Sequence, residues 1–211
     1  MKGTSYQDKV WFDRVTQPLL VVLSGPSGAG KDAVLGLMRE LGYPFEYITT
    51  VTTRPRRAGE KDDIDYHFTS AESFQEMIKH EELLEWANVY GNWYGVPREP
   101  LKQALAKGKD VVVKVDIQGA AAIKKILPQA VFIFLMPASI EELVARLKQR
   151  HTESPFDLDL RLRTAEEETK KLSLFDYVVI NKQGGIRRAV ADIKAIVTAE
   201  KCRVAARRVS L

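Results

Sequence analysis

A glycine-rich segment between a short apolar run and a helical pattern constrains the fold of this chain most. Residues 19–24 (LLVVLS) are typical of a buried β-strand, and residues 31–41 carry apolar side chains at helical spacing. Residues 24–32, SGPSGAGKD, join these two segments. They match the pattern G-x-x-x-x-G-K in the strand–loop–helix context that gives this motif its meaning. The sequence therefore predicts a loop that wraps a polyphosphate.

The residue types in this loop suit that chemistry. Successive backbone N–H groups must point inward at anionic oxygens, and glycine permits the backbone angles that this requires at Gly25, Gly28 and Gly30. The start of the following helix adds a partial positive charge, and Lys31 adds a full one that can reach the β- and γ-phosphates. The alternative is an ordinary glycine-rich turn with a surface lysine.

Asp32 departs from the motif, which normally has Ser or Thr after the lysine. Its carboxylate is a hard oxygen ligand that could bind Mg²⁺ directly or through water. The alternative is an acidic residue that complements the positive end of the helix. Both interpretations stay open at this point.

Apolar strand-like runs alternate with helical patterns along most of the chain. Further strands are predicted at 111–115, 130–136 and 177–180, and helices at 118–127, 140–149 and 186–201, with Ser139 as an N-cap. This order predicts an α/β fold with a parallel sheet flanked by helices. Two charged stretches, 49–96 with one helix at 71–80 and 150–172 interrupted by Pro155, are usual places for substrate-binding and lid segments.

The composition of the chain excludes several classes of protein. Its 211 residues suit one domain, and the apolar runs at 19–23 and 131–136 are far too short to span a membrane. The single cysteine, Cys202, cannot form an internal disulfide, so we expect a cytoplasmic protein. Residues 201–211 account for the whole net charge of +4, which predicts a frayed basic tail and no nucleic-acid partner.

Several further motifs follow the loop in order along the chain. They are TTRPRRAGE at 52–60, DYHF at 65–68, EWA at 85–87, GNWYG at 91–95 and VDIQG at 115–119. Together with the loop, they make the chain resemble the guanylate kinase family from about residue 18 to residue 201. The resemblance implies a P-loop core at about 17–48, 97–136 and 173–203, a GMP-binding subdomain at 49–96 and a lid at 137–172. These parts would form one domain over 1–211, with the basic tail at 201–211.

The resemblance also implies two sets of binding residues. The predicted ATP-binding set is Ser24, Gly25, Pro26, Ser27, Gly28, Ala29, Gly30, Lys31, Asp32 and Asn181. The predicted GMP-binding set is Thr50, Arg54, Arg57, Tyr66, Glu85, Tyr94, Val96 and Asp116. In the second set the arginines and tyrosines would hold the GMP phosphate, and Glu85 and Asp116 would accept hydrogen bonds from guanine.

Alternative interpretations remain for these residues. Arg54 and Arg57 could belong to a solvated basic turn, the two tyrosines to packing, and Glu85 to an exposed acidic strand. Val96 replaces the usual Ser or Thr, and Lys114 stands at a position that is often acidic in the family. Lys114 would either face the nucleotide or pair with a surface acid.

The lid and the last strand complete the predicted site. Arg146, Arg150 and Arg161 match the arginines that close over the ATP phosphates in the family, or they are ordinary helix-surface arginines. Asn181 would lie near adenine or cap a strand. The predicted catalytic residues are therefore Lys31, Arg54, Arg57, Arg146, Arg150 and Arg161, and the candidate metal ligands are Asp32 and Asp116.

The resemblance implies transfer of the ATP γ-phosphoryl group to GMP, and to dGMP, with Mg²⁺ as cofactor. The expected partners are these small substrates alone, with no membrane, and the protein would be a monomer or a homodimer. Two rival functions stay open: a kinase of the same architecture with another acceptor nucleotide, and a non-catalytic module that binds peptides.

Overall fold

The computed structural model describes residues 17–148 and 155–211, and only the backbone of 155–159. Its strands are β1 (Leu20–Ser24), β2 (Phe45–Ile48), β3 (Val51–Thr52), β4 (His67–Phe68), β5 (Leu83–Val89), β6 (Asn92–Pro97), β7 (Asp110–Lys114), β8 (Val131–Met136) and β9 (Tyr177–Ile180). Its α-helices are α1 (Lys31–Glu40), α2 (Ala71–Lys79), α3 (Arg98–Ala106), α4 (Ile117–Ile126), α5 (Ile140–Lys148), α6 (Pro155–Thr169) and α7 (Ile186–Lys201).

A five-stranded parallel sheet forms the centre of the fold. Its strand order is β2-β7-β1-β8-β9, and every pair of neighbours is parallel. Strand β1 lies between β7 and β8, and the strands that follow β1 in the chain lie on both sides of it. A parallel sheet has a crevice at the carboxyl ends of its strands where the order reverses in this way. The predicted α/β fold is confirmed. The predicted strand set lacked β2, whose residues Phe45 to Tyr47 are only partly buried and so form no apolar run.

The core consists of two apolar layers, one on each face of this sheet. Alternate residues of β1 belong to different layers: Leu20 and Val22 to one, and Val21 and Leu23 to the other. Helices α3 and α4 cover the first layer, and α1 and α7 cover the second. Because both faces are covered, β1 is apolar at every position but its last, which explains the run that the sequence shows.

A second sheet lies in the stretch between β2 and α3. Its order is β4-β3-β6-β5, with β3 parallel to β4 and β6 antiparallel to both of its neighbours. Phe74 of α2 is fully buried and stacks on Trp93 of β6, with ring centroids 6.2 Å apart. The prediction of short strands around one helix in 49–96 is confirmed.

Helices α5 and α6 form a separate small apolar cluster, in which Leu143 and Leu147 pack against Ala165. Pro155 is the first residue of α6 as the structure describes it. Proline suits the first position of a helix, where its missing N–H would have no helical acceptor. The predicted catalytic residue Arg150 lies outside the described residues. No helix in the described ranges is long and apolar enough to cross a bilayer.

The prediction of a frayed basic tail is wrong for Arg207. Its guanidinium donates to both carboxylate oxygens of Glu200, at 2.9 and 3.0 Å, and to the carbonyl oxygen of Ala130 at 3.0 Å. The Glu200 side chain is only 1% exposed, and Val209 packs against the core layer of α3 and α4. These contacts hold the tail against the domain.

Candidate active site

An open cleft is lined by residues from the loop after β1, from both sheets and from α6. The predicted residues that line it are Gly25, Ser27, Gly28, Gly30, Lys31, Asp32, Thr50, Arg54, Arg57, Tyr66, Glu85, Tyr94, Asp116 and Arg161. Within the described part of the chain, the predicted residues that do not line it are Ser24, Pro26, Ala29, Val96, Arg146 and Asn181. The structure thus brings most of the predicted set together.

The glycine loop has the backbone angles that its sequence predicts. Gly25 has φ 145° and Gly30 has φ 93°, which side-chain-bearing residues rarely adopt. A Cβ atom on Gly25 would lie 2.1 Å from the carbonyl oxygen of Leu135 in β8, and one on Gly30 would lie 2.4 Å from Nδ2 of Asn181. Glycine is therefore required at both positions by close packing as well as by backbone conformation.

Lys31 lies at the start of α1 and points back over the loop. Its ammonium group donates to the carbonyl oxygens of Gly25 and, at 3.2 Å, of Pro26. Burial lowers the pKa of Lys31 from its ordinary value, although the negative charges of Glu168 and Asp32 oppose this shift. The ammonium is thus placed at the loop and has carbonyl partners there.

Asn181 and Arg146 hold the loop from behind. Nδ2 of Asn181 donates to the carbonyl oxygen of Ala29 at 2.8 Å, and Asn181 is 5% exposed. Arg146 donates to the same oxygen at 3.2 Å and to the carbonyl oxygen of Asn181 at 2.6 Å. In this structure both side chains support the loop, and the predicted contacts with adenine and with the ATP phosphates stay predictions.

Arg161 on α6 reaches the loop from the lid. Its Nη1 donates to Oγ of Ser27 at 2.6 Å, and its guanidinium lies 5.1 Å from the ring centroid of Tyr90. A lid cation is therefore in contact with the phosphate-binding loop.

The acceptor side of the cleft is built around Arg54. Glu60 accepts from both terminal nitrogens of this guanidinium, at 2.7 and 3.1 Å, and from the backbone N–H of Arg57 at 2.8 Å. Burial raises the pKa of Glu60, but these hydrogen bonds outweigh it, so the pKa lies below its ordinary value. Glu60 lies in the motif TTRPRRAGE but is not among the predicted site residues. An acidic residue six positions after Arg54 was the one sequence feature that could have indicated this ion pair.

Two tyrosines lie beside Arg54. The rings of Tyr66 and Tyr94 are in an edge-to-face arrangement with centroids 5.9 Å apart, and Arg54 Cζ lies 5.4 Å from the Tyr66 centroid. Burial raises the pKa of Tyr66, so its hydroxyl is protonated at neutral pH. The cleft thus contains hydroxyl and guanidinium donors side by side.

Lys114, which the sequence analysis left open, points into the cleft. It forms an ion pair with Asp32 of α1, and its side chain is 10% exposed. Lys114 thus pairs with a half-exposed acid, and this pair lies in the cleft. Lys114 and Asp32 are 82 positions apart in the chain, so no local sequence pattern indicates this pair.

Glu85 and Thr50 carry buried polar atoms on the other wall of the cleft. Oε2 of Glu85 and Oγ1 of Thr50 have no hydrogen-bond partner among the described residues. Burial, reinforced by the negative charge of Asp116, raises the pKa of Glu85 to about 8. Buried polar atoms without partners are costly, and their presence in a cleft points to a ligand that supplies the partners. The alternative of an exposed acidic strand is wrong for Glu85, which is 5% exposed.

Asp116 and Val96 are placed differently from Glu85. Asp116 caps α4, where its carboxylate accepts from the backbone N–H groups of Gly119 and Gln118, at 3.0 and 3.3 Å.

Val96 is fully buried in the apolar layer that also contains Leu101. The prediction of Val96 as a cleft residue is wrong, because an isopropyl group offers guanine no hydrogen bond and packs into the core instead.

Glu168 is a cleft residue that the sequence analysis missed. It lies on α6 seven residues after Arg161, and this spacing places both residues on one face of the helix. The spacing could therefore have indicated that Glu168 faces the cleft as Arg161 does. Burial raises its pKa to about 7, although the nearby Lys31 ammonium opposes this shift. The carboxyl group therefore changes charge near neutral pH.

Comparison with known proteins identifies the family. The guanylate kinase family model matches residues 17–200. The chain belongs to the guanylate kinase family. Guanylate kinase 2, chloroplastic/mitochondrial, of Oryza sativa subsp. japonica is 45% identical over 196 residues, which are 92% of this chain and 69% of the rice protein. The guanylate kinase of Desulfitobacterium hafniense is 47% identical over 187 residues, which are 88% of this chain and 92% of that protein.

A solved structure agrees with this assignment. The guanylate kinase of Anaplasma phagocytophilum is 32% identical, covers 90% of this chain with 89% of its own, and has a TM-score of 0.75. The predicted family, the predicted fold class and the predicted enzyme, a guanylate kinase, are confirmed. The roles of individual residues and the subdomain boundaries stay predictions.

Proposed function

We propose that this member of the guanylate kinase family transfers the γ-phosphoryl group of ATP to GMP in the cleft described above. One observation carries the assignment of the acceptor: the buried, unpartnered Glu85 Oε2 and Thr50 Oγ1 line the same cleft as the phosphate-binding loop. Guanine presents N1–H and its 2-amino group as donors on one edge, and a carboxylate accepts both. Adenine presents no such pair, so its binding would leave the buried Glu85 without partners.

The chemistry needs no general base, because the attacking group is a phosphate oxygen that is already anionic. The barrier is instead the repulsion between two polyanions, which fixed positive charges reduce. Arg54 and Arg57 would hold the GMP phosphate, and a guanidinium suits this task because its planar donors pair with two phosphate oxygens at once. Lys31 and Arg161 lie on the loop side, where they would neutralise charge on the transferred group.

Magnesium is the proposed cofactor, and the residues near the loop fit it in one respect. Mg²⁺ keeps most of its ligands as water and phosphate oxygens and takes one or two carboxylates from the protein. Asp32 lies at the start of α1 beside the loop, and its side chain is 54% exposed, so its carboxylate can supply an oxygen to the ion. Asp116 fits less well, because both of its oxygens accept from backbone N–H groups. The ion would supply charge neutralisation at the phosphates of ATP.

The discriminating experiment is a coupled assay of ADP formation from ATP with GMP, dGMP, AMP, CMP, UMP or dTMP at low concentration. We expect turnover with GMP and dGMP and a loss of order 10⁴-fold with AMP. A preference for another acceptor would support the rival kinase. No ADP formation with any acceptor would support the rival peptide-binding module.

Lys31→Ala tests the loop in the same assay. We expect a large loss of kcat while GMP binding stays measurable, because the ammonium acts on the phosphates of ATP. Lys79→Ala, which removes an exposed lysine of α2, is the matched control and should leave turnover unchanged. Equal turnover of Lys31→Ala and the control would contradict the assignment of the loop.

The compartment and the oligomeric state also stay proposals. A cytoplasmic location is supported by the single cysteine of the sequence. A monomer or a homodimer is proposed, and light scattering of the purified protein would distinguish them.

A further inference from the structure

Lys114 is a buried cation in the cleft whose role neither the loop nor the acceptor residues explain. It ends β7, and its side chain is 10% exposed, while its ion-pair partner Asp32 is 54% exposed. The Lys114 ammonium is thus shielded from water, whereas its ion-pair partner is about half exposed. Such an arrangement gains little stability by itself, because the partly solvated pair is weak and the desolvation of the ammonium is costly.

The other end of the same strand offers a comparison. Lys109, which directly precedes β7, pairs with Glu46 at 2.6 Å, and both of these side chains are about half exposed. That pair is an ordinary surface pair. Unlike this surface lysine, Lys114 carries its ammonium into the cleft.

The contacts of Lys114 connect three parts of the fold. Its Nζ pairs with Asp32 at the start of α1, lies 3.4 Å from the carbonyl oxygen of Asp65, and lies 3.7 Å from the ring centroid of Tyr66. A cation thus lies where the loop helix and the acceptor side of the cleft meet.

Arg54 lies against the same tyrosine ring. Its Cζ is 5.4 Å from the Tyr66 centroid, so two cations are within contact distance of one ring, and all three residues line the cleft. A phosphate group that reaches the donors of Arg54 and Tyr66 comes within range of the Lys114 ammonium. We propose that Lys114 binds the phosphate of the acceptor nucleotide and that Asp32 is the positioning residue that holds its ammonium in place. The inference rests on the proposed function, since it takes GMP as the acceptor.

Binding measurements without ATP test this proposal. Titration calorimetry would compare GMP with guanosine, which lacks the phosphate, for the wild-type protein and for Lys114→Met. We expect GMP binding to weaken by about 10-fold or more and guanosine binding to change little, because only a phosphate contact is lost. Lys109→Met is the matched control and should bind both ligands as the wild type does.

A double variant separates this role from a structural one. If Lys114 only neutralises Asp32, then Asp32→Asn should restore GMP binding to Lys114→Met. We expect the double variant to stay as weak as Lys114→Met. Thermal unfolding would check that each variant folds, and Lys114→Arg, which keeps the charge, should retain more GMP affinity than Lys114→Met.

Three results would overturn the inference and leave the proposed function intact: wild-type affinity of Lys114→Met for GMP, equal losses for GMP and guanosine, or recovery in the double variant. A wild-type protein that binds no GMP would instead overturn the proposed function itself, and this inference with it.

Discussion

Both carboxylate oxygens of Glu60 accept hydrogen bonds from the guanidinium of Arg54, at 2.7 and 3.1 Å. The same carboxylate accepts from the backbone N–H of Arg57, so one acidic side chain fixes both arginines of the acceptor side. Arg54 is 9% exposed, and a buried guanidinium requires such a partner. The positions of the cations in the cleft therefore depend on a residue that need not touch substrate.

Glu60→Gln should raise the KM for GMP by about 10-fold and leave the KM for ATP nearly unchanged. The amide cannot accept at both of its ends, so it loses one of the two charge-assisted hydrogen bonds to Arg54. Steady-state kinetics with each substrate varied in turn would measure this. Glu76→Gln, which breaks an exposed ion pair with Lys79 in the same segment, is the control. Equal changes in both KM values would contradict a positioning role for Glu60.

GMP binding at pH 7 should release a proton from Glu85. The pKa of about 8 means that this carboxyl group is mostly protonated in the free protein at pH 7, whereas the donors of guanine favour the carboxylate. Calorimetry in two buffers of different ionisation enthalpy would measure the release, and Glu85→Gln should abolish it and weaken GMP binding by about 100-fold. Glu82→Gln, which changes an exposed residue, should do neither.

The same group should influence the stability of the free protein. Folding raises the pKa of Glu85, so the folded protein holds its proton more tightly than the unfolded chain does. The contribution of Glu85 to the free energy of unfolding therefore falls as pH rises from 4.5 to about 8. Thermal unfolding of Glu85→Gln should therefore show a growing advantage over the wild type across this interval. A constant difference would argue against burial of the charge.

Gly25→Ala should destabilise the protein by at least about 3 kcal/mol, since the new Cβ would lie 2.1 Å from the carbonyl oxygen of Leu135. Gly36→Ala is the matched control, because Gly36 lies in α1 with nothing within 4 Å of the added atom. This second change should stabilise the protein by about 0.5–1 kcal/mol through helix propensity. Thermal unfolding without ligand measures both. Similar effects of the two substitutions would mean that the loop can relax.

Arg207→Ala should cost about 3 kcal/mol of unfolding free energy at neutral pH, because it leaves the buried charge of Glu200 without the two hydrogen bonds that it accepts from Arg207. Hydrogen bonds from Arg207 lower the pKa of Glu200 below 4.5, so the stability from this pair is present above pH 4.5 and is lost as pH falls further. Urea unfolding at several pH values should show the difference shrinking in acid. Arg208→Ala, an exposed control, should change little at any pH.

The sequence predicted those parts of the site that local patterns encode. The loop around Gly25 and Lys31 was predictable because its backbone angles, its helix start and its preceding strand are neighbours in the chain. The central sheet was predictable because both faces are covered, which makes strands such as β8 apolar throughout. Strand β2 was not, because partial exposure leaves it with polar residues.

Contacts between distant residues were not predictable from one sequence. Two ion pairs join segments far apart in the chain: Asp32 with Lys114, and Arg207 with Asp176. The charges near each residue do not indicate which distant residue it pairs with. Val96 was misplaced for a related reason: a motif position specifies a place along a strand but not whether the side chain there enters the cleft or the core.

The carbonyl partners of Lys31 bear on how affinities for this protein should be interpreted. In the free protein its ammonium already donates to the carbonyl oxygens of Gly25 and Pro26, so a triphosphate competes with these oxygens for the ammonium. A dissociation constant for ATP then reports an exchange of partners, not the full strength of the new contact. Removing the lysine would accordingly understate its attraction for the nucleotide, because the same substitution also deletes the competition.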